Sequence, residues 1–262
     1  MPATDPALST DPIFRSDPYA RSCTARVVAV TEDGGVILDR SVFYPTGGGQ
    51  PGDSGRLTDA AGRVWTVTEA VKGRTSGTDG GPDAIVHRLD ATGAEAPPAI
   101  GTEVTAELDW ERRHAHMRLH TCLHLLSAIV VAPVTGGQVG ADRARLDFDW
   151  PDATLDKQAI TDALNDLIRA DHAVETDWIT DAELDAAPHL VKTMSVQPPR
   201  GAGRVRLVRI GAGTAGADAP HVDLQPCGGT HVARTGEIGA VEVVKIEKKG
   251  RQNRRVVIAF AG

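Results

Sequence analysis

Cysteine is nearly absent from this 262-residue chain, which has only Cys23, Cys122 and Cys227. Three thiols cannot build a disulfide framework, and so sparse a set fits a reducing compartment, so a cytoplasmic location is expected. Aromatic residues make up only 4%, so the cores must rest on Val, Leu, Ile and Ala. No apolar run approaches the roughly 18–20 residues of a membrane span, and the N-terminus lacks the apolar stretch of a signal peptide. No membrane partner is therefore expected. Basic residues do not dominate either: 28 Lys and Arg against 35 Asp and Glu give a net charge of −7. That balance argues against a general nucleic-acid coat.

What is present is an ordinary globular composition, 41% hydrophobic and 24% charged, in a chain long enough for one large or two modest domains. The cations are unevenly placed. Arg200, Arg204, Arg206 and Arg209 occur with no acid among them; Lys245, Lys248, Lys249, Arg251, Arg254 and Arg255 follow, interrupted by Glu247. Such a run suits either a phosphate-bearing ligand or a solvated charged face.

The patterning divides the chain. Residues 1–22 are rich in Pro, Asp and Ser and read as a flexible lead-in. From 23 to 109 the signals are strands and turns: "ARVVAV" and "GVILDR" flank "TEDG", and "RVWTVTEAV", "AIVHRLD" and "EVTAEL" continue the style. Segments 73–83 and 91–101 read as loops. A small β-barrel is the economical reading. Residues 110–262 read as an α+β domain. Apolar spacing places a helix near Glu111–Val131 and a second over 154–172, with strands at "RARLDFDW", "RVRLVRI", "AVEVVKI" and "RRVVIAF".

The chemistry lies in two spaced pairs. His120 and His124 are four apart in "LHTCLHLL", one turn apart on a single helical face. Cys227 and His231 are four apart in "CGGTH", where Gly228 and Gly229 favour a turn. Each pair alone is a weak signal. Together they offer one thiolate and three imidazoles, a set suited to a single Zn²⁺. The metalloprotease motif needs Glu after the first His; Thr121 stands there, so that chemistry is excluded. His116 and Cys122 read as a neighbouring side chain and a packed thiol.

"RLHTCLHLL" and "CGGTHV" resemble the editing domain of alanyl-tRNA synthetases, and more closely the freestanding alanyl-tRNA editing proteins of AlaX type. "FYPTGGGQPGDSG" at 43–55, "LDW" at 108–110, "RTGEIG" at 234–239 and "NRRV" at 253–256 extend the likeness over nearly the whole chain. The resemblance implies a β-barrel followed by an α+β editing domain, like the second additional domain of threonyl- and alanyl-tRNA synthetases. It implies one zinc ion per chain and a trans-editing ester hydrolase acting on tRNA-Ala that carries a wrong amino acid. Serine is the expected amino acid, with glycine a second candidate. Thr121 would sense the serine hydroxyl, unless it is a helix threonine bonding back to a carbonyl. Gln138 falls where synthetases carry a Gln-x-Gly. Gly47, Gly48 and Gly49 are either barrel-turn glycines or part of the editing site. Lys248, Lys249, Arg251, Arg254 and Arg255 would contact phosphate. Two other readings stay open: threonyl-type editing of Ser-tRNA-Thr, and a zinc-stapled tRNA-binding module without catalysis. Four protein ligands describe a closed site, whereas a catalytic zinc normally keeps one position open.

Overall fold

The computed structural model describes residues 8–73, 83–92, 96–151, 154–194, 203–211 and 221–262. The loop expected at 73–83 falls largely outside these residues, as does Arg200, while the described part of 91–101 is turn and coil, as expected. The chain forms two compact units: residues 1–47 with 51–113, and residues 48–50 with 114–262.

The first unit contains β1 (Asp11–Pro12), β2 (Ser22–Val30), β3 (Val36–Leu38), β4 (Arg40–Ser41), β5 (Gly55–Asp59), β6 (Val64–Lys72), β7 (Ile85–Leu89) and β8 (Glu103–Leu108). Six of these close a barrel in the order β2-β3-β7-β6-β5-β8. Closure leaves no free sheet edge, which is how a small all-β unit avoids edge-to-edge pairing. The cause is visible in the alternation: Ala25 and Val27, Trp65 and Val67, and Val104, Ala106 and Leu108 all point into one core with Leu38, Phe43 and Leu57. Each full burial of a Val or Leu side chain contributes about 1.5–3 kcal/mol. The 31–34 turn joins β2 to β3 as expected, with the Thr31 N–H donating to Gly35 O at 2.8 Å.

Residues 8–22 differ from the flexible lead-in read from composition. β1 pairs in parallel with β4, and Phe14 is buried against Tyr44 in an edge-on contact at 5.4 Å. One large apolar side chain outweighs the turn-rich composition around it.

Two polar features pin the barrel. Arg113 is completely buried; its guanidinium pairs with the Asp53 carboxylate and donates to Val42 O at 2.6 Å and to Pro18 O at 3.1 Å. Asp53 also accepts from the Tyr44 N–H at 2.6 Å. A buried charge survives only when paired and hydrogen-bonded in this way. His87 is the second: it is fully buried between Ser41 Oγ at 2.8 Å and Val36 O at 2.9 Å.

The second unit contains α1 (Trp110–Ile129), which begins in the last residues of the first, then β9 (Val134–Val139), β10 (Arg143–Asp149), α2 (Lys157–Arg169), β11 (Val174–Ile179), α3 (Asp181–Ala186), β12 (Val205–Ile210), β13 (Asp223–Pro226), β14 (Val241–Lys249) and β15 (Asn253–Phe260). They form a four-stranded sheet, β14-β15-β10-β9, and a three-stranded sheet, β11-β12-β13. The barrel followed by these mixed elements makes the chain α+β, as expected. Among the described residues, no helix is long and apolar enough to cross a membrane.

α1 is not the half-exposed amphipathic helix its spacing suggests. Residues Leu119 to Ser127 are all buried, polar and apolar alike. α2 is amphipathic: Asp156 caps it by accepting from Gln158 N and Ala159 N, and Ile160, Leu164 and Ile168 face inward. From α2, Asn165 bonds both backbone groups of Val241, and the Thr161 hydroxyl accepts from Val243 N. These bonds satisfy the outer strand β14, whose backbone would otherwise be exposed at the sheet margin. β9, β11, α3 and β13 were not legible in advance; β9 carries Gly136 and Gly137 at its centre, and β11 is exposed on most positions.

Burial lowers the His87 imidazole from its usual range to about 4, so it stays neutral in the folded barrel. The unfolded chain binds a proton near pH 6.5 that the folded one refuses, so stability declines as pH falls from about 6.5 toward 4. The expected loss is about 2 kcal/mol by pH 5. Denaturation titrations followed by Trp65 fluorescence should show this slope in the wild type and a flatter one in His87→Gln. Parallel slopes in both proteins would place the acid sensitivity elsewhere.

Candidate metal centre

α1 sets His120 and His124 one turn apart, and the turn after β13 supplies Cys227 and His231. The four ligand atoms lie within 4.8 Å of one another. Cys227 Sγ is 3.5 Å from His120 Nε2 and 3.3 Å from His231 Nε2. A tetrahedral zinc with bonds of about 2.0–2.3 Å would set its ligands roughly 3.3–3.7 Å apart. The cluster therefore has the chemistry and the size for one such ion.

The orientation of each ring has a separate cause. His120 Nδ1 lies 2.9 Å from Gln50 Oε1, which also accepts from the Thr230 N–H at 3.1 Å. The backbone donor identifies the amide oxygen, so His120 must carry its proton on Nδ1. The Gln50 amide nitrogen donates to Thr230 Oγ1 at 2.8 Å, completing the lock. His124 Nδ1 donates to Asp223 Oδ2 at 2.8 Å. Asp223 is itself held by Lys192 and by Gln225 Nε2, the latter at 2.7 Å. His231 Nδ1 lies 3.1 Å from the Thr121 hydroxyl, whose own hydrogen goes to Met117 O at 2.9 Å. In all three rings the outer nitrogen holds the hydrogen and Nε2 is turned inward. Outer partners of this kind orient metal-bound imidazoles and raise their basicity.

Charge tells the same story. Burial alone would raise the Cys227 thiol, but the neighbouring histidines, His120 foremost, outweigh it and pull it well below its ordinary range. Burial lowers His231 to about 3, with His120 adding to the effect. Burial would also lower His124, but Asp223 and Cys227 override it and raise it to about 9, so before metal binds its Nε2 also carries a hydrogen, which the metal must displace. A thiolate thus faces a neutral imidazole nitrogen at 3.3 Å. Two lone pairs at that distance repel unless a cation lies between them.

The turn is fastened from β12. Arg206 Nη1 donates to Cys227 O and to Gly229 O, both at 2.9 Å. Gly229 must be glycine for space: a Cβ there would sit 2.2 Å from His120 Cε1. At Gly228 nothing lies within 4 Å. Close approach, more than turn freedom, explains the glycine at 229.

The other expected residues are dispersed. Thr121 is fully buried, and its hydroxyl is used by Met117 O, His231 and the Val232 N–H. The bond to Met117 O is the back-bonding of a helix threonine. Gln138 is exposed on β9 and accepts from Arg145 Nε at 3.3 Å. Gly47 belongs to the first unit, and Gly48 and Gly49 to the second, where Gly49 O accepts from Val139 N at 2.8 Å. A Cβ on Gly49, whose φ is +83°, would meet Gly137 O at 2.8 Å. The five cations do not form one surface. Arg254 is 6% exposed, Arg255 is held by both Asp147 oxygens, and Lys249 pairs with Glu247 at 3.4 Å. Lys248 and Arg251 are exposed. His116 is buried and stands outside the four-residue cluster. Cys122 is a fully buried thiol that burial raises to about 12.

Gln50, Asp223, Arg206, Lys192 and Gln225 were missed in the sequence. Gln50 stands inside the glycine-rich motif, and Asp223 and Gln225 alternate just before Cys227, so proximity to the motifs was the only available signal.

The family profile described as "Threonyl and Alanyl tRNA synthetase second additional domain" matches residues 205–257. The chain is 32% identical over 253 residues to a Methanosarcina barkeri protein named alanyl-tRNA editing protein AlaX-M, spanning 94% of this chain and 97% of that one. A Saccharolobus solfataricus protein of the same name is 31% identical over 251 residues, again covering 97% of its length. The alanine–tRNA ligase of Pyrobaculum arsenaticum is 34% identical over 247 residues, which is 91% of this chain but 25% of that enzyme.

Removing an outer partner should loosen the metal without removing a ligand. Gln50→Ala is expected to weaken zinc binding by about 10–100-fold in a chelator competition. Wild-type affinity in that variant would show that His120 is oriented without its amide.

Proposed function

Because the chain belongs to the AlaX-type family of alanyl-tRNA editing proteins, we propose that it hydrolyses the ester joining a wrong amino acid to tRNA-Ala. Serine is the proposed amino acid, with glycine to be tested beside it. The observation that carries the reading is the joining of His120, His124, Cys227 and His231 into one cluster, in a chain matched over 94% of its length by such a protein. Zn²⁺ held there would act as a Lewis acid toward a carbonyl or a water molecule.

The protein's own share is positioning. Gln50, Asp223 and Thr121 aim three Nε2 atoms at one point, and Arg206 holds the thiolate turn beside them. Thr121 then acts through His231. An aminoacyl ester is already activated, so discrimination is the harder task. A site that hydrogen-bonds a hydroxyl can reject the analogue lacking it by about 10⁴–10⁵, whereas apolar contact gains only about 1–3 kcal/mol. Serine must therefore meet polar groups, and Gln138 and the exposed backbone of Gly48 and Gly49 are our candidates.

A second reading has its own support. Four protein ligands make a closed set, as in structural zinc sites, so a tRNA-binding module stapled by zinc fits the ligand count. Metal removal separates the two: a structural ion melts the unit when chelated. Threonyl-type editing differs only in the tRNA body.

Purified protein should deacylate Ser-tRNA-Ala at least about 100-fold faster than Ala-tRNA-Ala. His120→Ala should lose zinc and hydrolysis together. Equal rates on the two esters, or a preference for Ser-tRNA-Thr, would overturn the assignment.

A further inference from the structure

The two faces of the β14-β15-β10-β9 sheet carry their charges differently. On one face the ions neutralise each other. Asp147 accepts from Arg145 at 2.7 Å and from Arg255 at 2.7 and 2.8 Å. Arg255 also reaches Glu247 at 3.9 Å, and Glu247 binds Lys245 and Lys249. These pairs follow from register: Asp147 and Glu247 stand opposite Arg255 on either side. A phosphate arriving there would have to break existing pairs.

The opposite face is the packed one, with Leu146, Phe148, Arg254, Val256 and Ile258 buried, and its exposed charge lies only at the end of the sheet. Phe148, Arg254 and Lys248 stand side by side on β10, β15 and β14. Phe148 is fully buried, but two residues on, where the sheet runs out, Trp150 is 40% exposed. Its N–H donates to Gln252 O at 3.1 Å, which ties it to the hairpin 250–252. That hairpin turns at Gly250, with φ +67°, and carries the exposed Arg251. The run Lys248-Lys249-Gly250-Arg251-Gln252 contains no acid. Unlike the cations of the other face, Lys248, Arg251 and Arg254 take no part in the ion pairs of that network.

We propose that Trp150 with Lys248 and Arg251, at this end of the sheet, is an RNA-docking surface. An unpaired base stacks on the indole, and the adjoining phosphates lie against the two cations. The occupant follows from the chemistry. Cations with no ion pair among the described residues, beside a half-exposed aromatic, match a polyanion with flat faces, and stacking tolerates any base. The surface also has reach. Strand β10 runs from Ala144, opposite Val139 beside Gly49, to Trp150, about 20 Å at roughly 3.3 Å per residue. A nucleic-acid strand gripped at the hairpin is thus held well away from its reacting end.

The proposal rests on the RNA substrate of the preceding reading, and the experiment separates the two. Uncharged tRNA-Ala is titrated onto the full chain at several salt concentrations. Lys248→Ala and Arg251→Ala should each reduce the slope of log affinity against log salt by about 0.7–0.9. Trp150→Ala should weaken binding about tenfold or more with the slope unchanged, and Trp150→Phe should restore most of it. Lys245→Ala, on the self-neutralised face, should leave the slope alone. In deacylation the patch variants should raise KM more than they lower kcat. If they bind tRNA-Ala with wild-type slope and affinity while Ser-tRNA-Ala is still hydrolysed, the surface is not an RNA site and the enzyme reading stands. Retained tRNA binding with lost binding of a poly-glutamate peptide would assign the patch to an acidic protein and overturn the proposal.

Discussion

Three hydrogen bonds on the far side of three imidazoles decide what this cluster can do. A neutral imidazole has one donor nitrogen and one acceptor nitrogen, and the acceptor is the one that binds metal. Gln50, Asp223 and Thr121 each take the Nδ1 hydrogen of one ring. Remove those partners and nothing requires the lone pairs to converge on Cys227. The outer partners come from the glycine-rich segment, from β13 and from α1 itself, so one point gathers constraints from distant parts of the sequence.

The cost of that arrangement explains the shape of its surroundings. Buried polar groups are tolerated when every member is satisfied, and a partly satisfied network is worse than an apolar core. α1 is buried on all sides where it carries the two histidines of the cluster, so His120, Thr121 and His124 cannot turn to water for a missing bond. Asp223 illustrates the solution: burial opposes its charge, but His124 and Lys192 hold it ionised, with its carboxyl lowered to about 2. Arg206 does similar work for the turn carbonyls. Gly229 shows the limit of the packing, since the smallest added side chain would overlap the His120 ring.

How much of this was legible follows from which patterns are local. The barrel was readable because period-two alternation is a local signal, and the His120, His124, Cys227 and His231 cluster because two spaced pairs are too. The all-round burial of α1 was not, because its polar residues satisfy one another only after folding. Nor was Gln50, whose partners are 70 and 180 positions away. Phe14 escaped for the opposite reason: a single anchor leaves no period to detect.

The basic run near the C-terminus shows why charge counting misleads in a strand. Lys248 and Lys249 are consecutive, as are Arg254 and Arg255, and consecutive strand residues point to opposite faces. Read as a string, they are one basic patch. Read by register, Arg255 and Lys249 fall opposite or beside acids, while Lys248 and Arg254 fall beside each other. Arg254 is buried there with Phe148, and the same alternation brings Trp150 to the open end of that face, where Lys248 is exposed. Partition between faces, set by pairing, therefore decides which cations can meet a phosphate, and composition alone carries no record of it.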